Sequence, residues 1–296
     1  MTRILTSSFR LVNFKSVLFI YSVVLILALA IALPFYFTIL SQAGHSMAAD
    51  KLVPDFEFSV FSDFMRQSGK AFRPFFFFSV ILSLAFMMVQ VFFSGGLVSD
   101  LQKADKVFNL KVFSGNSLAL FPKYAGLFFL QLTYLLLSTL VFVLLLFIFL
   151  SFSTDGNELT YVYLSIIPLA FISVAASFIM TGNEYAKNLI SQHQYLSPLS
   201  ALHSAFSYVF RHLKTILLFW IILGGLLLTG VIYLFSDAII GMSSTVTIVI
   251  MVILQQCFIV ARIFFKTWSL AAAAEFLKAE PVTVPQKIEL PEESPE

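Results

Sequence analysis

Six long apolar runs dominate the chain, at residues 17–40, 74–98, 124–152, 159–182, 216–235 and 245–266. A helix needs roughly 20 apolar residues to cross the ~30 Å hydrocarbon core of a bilayer, and each run reaches that length. Five contain no Asp, Glu, Lys or Arg. The sixth carries Arg262 and Lys266 toward its end, where long side chains extend to the headgroups. Strands of a membrane barrel alternate apolar and polar positions, whereas residues 141–150 are apolar on every face. The pattern predicts an all-α polytopic membrane protein with six transmembrane helices. The first run, preceded by Arg3, Arg10 and Lys15, is longer than the ~7–15 residues of a signal-peptide apolar region. It reads as an uncleaved helix.

Between the runs, three stretches have amphipathic spacing. In 197–210, Ser197 suits a helix cap and Pro198 the first turn, while Leu199, Leu202, Phe206, Val209 and Phe210 share one face. That predicts an interfacial helix lying in the headgroup plane. The stretch 107–121 is interrupted by Ser114-Gly115-Asn116 and is expected as two short pieces. On the other side, 55–69 places Phe58, Phe61, Phe64 and Met65 at helical spacing, as a lid on the outer leaflet. Residues 1–277 form the membrane domain, and the Pro- and Glu-rich tail 278–296 is expected to be disordered.

The runs also repeat. Asn13-Phe14-Lys15, Leu120-Phe121-Pro122-Lys123 and Val209-Phe210-Arg211 each lead into a run, and two follow a run that closes on glycine, at Gly95-Gly96 and Gly182. The chain reads as three helical hairpins, each introduced by an interfacial segment. Aromatic and basic anchors at membrane boundaries also occur without any repeat.

Charge sets the orientation. Lys and Arg number three before the first run, four between runs two and three, three between runs four and five, and four at the C-terminal end. The other side holds four, all between the first two runs. An excess of fourteen against four puts both termini in the cytoplasm. Charged residues make up 11% of the chain, against roughly 25% in soluble domains, so lipid is needed as solvent. The net charge of +2 offers no nucleic-acid surface, and Cys257 alone provides no disulfide framework.

Candidate chemistry is sparse. The runs hold no carboxylate, which disfavours a carrier with an acidic proton relay. Gln90, Gln131, Thr133, Tyr134, Gln255 and Gln256 suit bonds between helices, or contacts with a substrate. Arg262 and Lys266 share a helical face; with Lys123 and Arg211 they are the candidates for a lipid headgroup, ordinary positive-inside anchoring being the alternative. Gly95, Gly96 and Gly182 read as helix ends or packing positions, or as places where backbone approaches a headgroup. His45, His193, His203 and His212 lack metal-ligand spacing. No metal site, cofactor or catalytic residue is expected.

The segments Phe93-Ser94-Gly95-Gly96-Leu97, Asn183-Glu184-Tyr185-Ala186-Lys187 and Ala261-Arg262 resemble the six-helix membrane domain attached to some bacterial glycerophosphodiester phosphodiesterases, and related stand-alone bacterial membrane families. The resemblance covers most of residues 1–277. It implies a bacterial cytoplasmic-membrane architecture and proximity to lipid. The soluble phosphodiesterase barrel is missing from this chain, so the resemblance carries no catalytic residue over. The expected role is a non-enzymatic, lipid-associated module or the membrane partner of another protein, with a small-molecule or lipid transporter as the alternative.

Overall fold

A computed structural model describes residues 1–43, 57–102, 107–152, 158–241 and 244–282. Among the described residues there are eight helices and no strand: α1 (Thr2–Leu11), α2 (Phe14–Ala43), α3 (Phe58–Gln102), α4 (Leu110–Ser151), α5 (Glu158–Gln192), α6 (Pro198–Arg211), α7 (Lys214–Ile240) and α8 (Thr245–Ala279). Six of them, α2–α5, α7 and α8, are long and apolar enough to cross a membrane. The fold is that of a polytopic all-α membrane protein.

Helix length is the first departure from the sequence pattern. α3 has 45 residues, α4 42, and α5 and α8 35 each. At ~1.5 Å per residue, 35 residues already run ~52 Å, well beyond a ~30 Å hydrocarbon core. Each long helix therefore has an apolar shaft and an overhang. The residues predicted as a separate lid are, from Phe58 on, the first turns of α3; residues 55 and 56 lie outside the described residues. The predicted break at Ser114-Gly115-Asn116 is absent. Asn109 caps α4 by accepting from the N–H groups of Lys111 (3.0 Å) and Val112 (3.3 Å), and the helix then runs unbroken. The Ser114 hydroxyl turns back onto the Lys111 carbonyl at 3.2 Å, so it does not compete with the helical ladder.

The helix that carries the fourth apolar run does not end at Gly182. α5 continues to Gln192 because nothing in 183–192 breaks a helix, and Tyr185, Ala186, Leu189 and Ile190 supply a buried face at helical spacing. α6 agrees with its predicted extent: the Ser197 hydroxyl accepts from the Ser200 N–H at 3.2 Å, and Pro198 opens the first turn. Its apolar stripe is divided, however. Leu202 and Val209 are fully buried against protein, whereas Leu199 and Phe210 are exposed. α7 ends at Ile240 because Gly241 takes φ 62, a left-handed conformation suited to glycine.

The chain divides into two compact units. The first comprises residues 1–12, 94–223 and 267 onward; the second comprises 13–93 and 224–266. In the second unit the polar groups of the shafts bond neighbouring helices. Tyr21 donates to Gln256 (3.0 Å) and the Lys266 ammonium to Gln90 (3.5 Å). Tyr233 stacks on Phe258 with 5.5 Å between centroids, and Gly225 lies so close to the Phe265 ring that a Cβ would stand 2.7 Å from it.

The first unit contains two junctions in which a glycine of a long helix meets an aromatic ring of another helix, and a third in which an aromatic of a long helix meets a hydroxyl and a ring of α1. On α3, a Cβ at Gly96 would stand 2.5 Å from the Ser117 hydroxyl and 2.6 Å from the Phe113 ring of α4. On α5, Gly182 sits directly against the Phe206 ring of α6. On α8, the Trp268 indole N–H donates to the buried Ser8 hydroxyl of α1 at 3.0 Å, and the Phe9 ring meets Trp268 edge-on. The last junction fastens the beginning of the described chain to its end.

Candidate functional site

The predicted headgroup cations are divided between the two units. Lys123 donates its ammonium to the Gln194 carbonyl. Arg211 is exposed at the end of α6. Arg262 is exposed, Lys266 reaches Gln90, and both belong to the second unit, whereas Lys123 and Arg211 belong to the first. None of the three predicted glycines ends a helix: Gly95 and Gly96 lie inside α3 and Gly182 inside α5, each at a close approach to another helix. Among the described residues, no group of three His, Cys, Asp or Glu is arranged to hold a metal ion.

The densest polar chemistry lies at and just beyond the end of the fourth apolar run, where α5 continues. Residues 181–190 of α5 are buried almost throughout, although they include Thr181, Asn183, Glu184, Lys187 and Asn188. Asn188, at 0% exposure, donates its amide to the carbonyls of Glu184 (3.0 Å) and Leu270 (3.3 Å), tying α5 to α8. The Tyr124 hydroxyl of α4 donates to the Lys187 carbonyl at 2.8 Å. Asn183 donates to Gln131 of α4. Carbonyls inside a helix normally serve only the helix; here two of them also anchor neighbouring elements.

Lys187 and Glu184 form an ion pair of 3.5 Å one turn apart, with side-chain exposures of 11% and 16%. A charge in such surroundings is costly unless paired, and removing one partner strands the other. The pair is incompletely satisfied. Glu184 Oε2, the Thr181 and Tyr185 hydroxyls and the carbonyl oxygens of the Asn183 and Asn188 side chains are buried without a hydrogen-bond partner among the described residues. Glu184, Thr181 and Tyr185 line a small cavity of about 10 Å3, together with Leu218, Phe219 and Ile222 of α7 and Ser269, Ala272 and Ala273 of α8.

An aromatic clasp covers the end of α8. Tyr208 and Tyr185 pack against each other and against Phe276. The Tyr208 hydroxyl donates to the Glu280 carbonyl at 2.6 Å. Burial, and then the Glu280 carboxylate, push the Tyr208 phenol above its ordinary range. The two ring nitrogens of His212 face the Tyr208 carbonyl and the Glu280 carboxylate, both at 3.0 Å. Both partners only accept, so the ring sits between two acceptors from different elements.

The sequence reading missed Glu184 and Lys187 as site residues because it closed the span at Gly182. The periodic Tyr185, Ala186, Leu189 and Ile190, with no proline before Pro198, were the available signal. Comparison with protein-family models, with curated proteins and with solved structures found no match. The class defined by the fold is therefore a multi-pass α-helical membrane protein, with a buried polar cluster in its first compact unit.

Proposed function

We propose that the chain is a non-enzymatic, lipid-associated module of a bacterial cytoplasmic membrane, seated by its first unit on the anionic inner leaflet. The observation that carries this reading is the sorting of charge in that unit. Arg3, Arg10, Lys111, Arg211 and Lys214 are exposed, whereas Glu184, Glu275 and Glu280 face Lys187, Lys278 and His212. The exposed charge described in this unit is therefore mostly basic, Glu280 being an exposed carboxylate among it, and each Lys or Arg near an anionic leaflet is worth about 1 kcal/mol of attraction. The four segments whose Lys and Arg the charge count assigns to the cytoplasm contribute most of their described residues to this same unit, in keeping with cytoplasmic termini. The resemblance to the phosphodiesterase-attached membrane domain points to the same surroundings.

Native mass spectrometry of the purified protein tests this. Arg211→Gln combined with Lys214→Gln should lower the retention of co-purifying anionic lipid while leaving zwitterionic lipid unchanged. Equal anionic-lipid retention by wild type and variant overturns the reading. Arg262→Gln reports separately on the second unit.

One observation favours a second reading, a small-molecule carrier. The six apolar runs hold no carboxylate, but Glu184 lies within a helix that is long and apolar enough to span. Ionisable groups in such helices mark solute or ion paths by default. Uptake of a driving ion into proteoliposomes distinguishes a carrier from a passive module.

A further inference from the structure

We propose that Thr181, Glu184 and Tyr185 of α5, with Ser269 of α8, form a binding site for a small monovalent cation of the sodium class. The inference goes beyond the lipid reading and stands without it. Positions 181, 184 and 185 are spaced three and four apart, so they occupy one face of the helix. All three line the same cavity, and all three present a buried oxygen without a partner among the described residues: the Thr181 hydroxyl, Glu184 Oε2 and the Tyr185 hydroxyl. Thr181 and Tyr185 are each 2% exposed, so solvent does not satisfy them from outside.

Size narrows the ligand. About 10 Å3 corresponds to roughly one water-sized body, which excludes organic solutes and headgroups. Charge narrows it further. The lining side chains include one carboxylate and no cation; the opposite wall is Leu218, Ile222, Ala272 and Ala273, apart from the hydroxyls of Thr215 and Ser269. The Thr215 hydroxyl already donates to the His212 carbonyl at 2.8 Å. Lys187 neutralises the carboxylate from the other oxygen, Oε1, at 3.5 Å, and leaves Oε2 for the cavity. Hard cations take oxygen ligands of this kind. A single carboxylate, already shared with an ammonium, suits one positive charge better than two. The neighbouring ammonium also keeps the affinity low, in the millimolar range that ambient sodium reaches.

The test uses the full chain in nanodiscs, with thermal unfolding followed in choline chloride, sodium chloride or potassium chloride at one total ionic strength. A ligand that binds only the folded state raises its midpoint in a saturable way. Wild type should gain roughly 3 °C in saturating sodium relative to choline. Glu184→Gln and Thr181→Val should lose that gain. Thr139→Val, which removes a hydroxyl bonded to its own helix through the Leu135 carbonyl, should keep it. If Glu184→Gln fails to fold because Lys187 is left unpaired, Thr181→Val decides. Identical midpoints in all three salts mean that the cavity holds water only and overturn the proposal. A sodium gain retained in Thr181→Val and Glu184→Gln places the effect elsewhere and overturns it equally.

Discussion

Residues 159–180 and 181–190 are consecutive stretches of one helix, yet they face different solvents. In the first stretch Leu159, Val162, Tyr163 and Val174 leave most of their apolar surface uncovered by protein. In the second, polar and charged side chains are closed in by α4, α6 and α8 through Tyr124, Phe206 and Leu270. A soluble protein would reverse this order, placing apolar groups inside and charges outside. Within lipid the exposed shaft is the inexpensive part, because hydrocarbon tails are as apolar as leucine. Specificity therefore has to come from the polar overhang, where each hydrogen bond is either made or costly to omit.

The largest expected consequence concerns the ion pair. Lys187→Met strands Glu184 in a buried site and should cost about 3–5 kcal/mol, read as a lowered unfolding midpoint in nanodiscs. Adding Glu184→Gln to it should recover most of the loss. A single variant as stable as wild type would show that residues 181–190 are hydrated like a loop.

The junction glycine comes next. Gly182→Leu forces a side chain into the Phe206 ring and should cost about 1–3 kcal/mol by overpacking. Gly115→Leu provides the contrast, since a Cβ there meets nothing. Equal losses at the two positions would deny that the close approach matters.

Smaller again is the fastening of α1. Trp268→Phe keeps the ring contact with Phe9 but removes the donor to Ser8, at a cost of about 0.5–1.5 kcal/mol. Amide exchange should then speed up in residues 2–11 and not in α6. The smallest effect belongs to the shaft: Leu140→Ala, at a position 67% exposed, should stay within about 0.5 kcal/mol in nanodiscs. A loss as large as that at Gly182 would mean that the shaft is packed against protein after all.

The parts legible in the sequence were those encoded locally or by long repetition. Hydrophobic length alone identifies six spanning helices, and Ser197-Pro198 announces the start of α6 because a cap is made by its own neighbours. Gly96 and Gly182 were ambiguous because their meaning depends on Phe113 and Phe206, aromatic rings supplied by other segments. Residues 183–192 were misread because Asn183, Glu184, Lys187 and Asn188 lower the hydropathy just where the helix continues. What makes those side chains tolerable, the Leu270 carbonyl and a hydroxyl from Tyr124, comes from distant parts of the chain.

The central claim is that α5 carries its polar segment as buried helix, and backbone hydrogen exchange in nanodiscs tests it most directly. Amides of residues 183–192 should exchange as slowly as those of the apolar shaft before them, and far more slowly than those of 194–196, where the helix has ended. Fast exchange beginning at Asn183 would contradict the account and return the segment to a solvated loop.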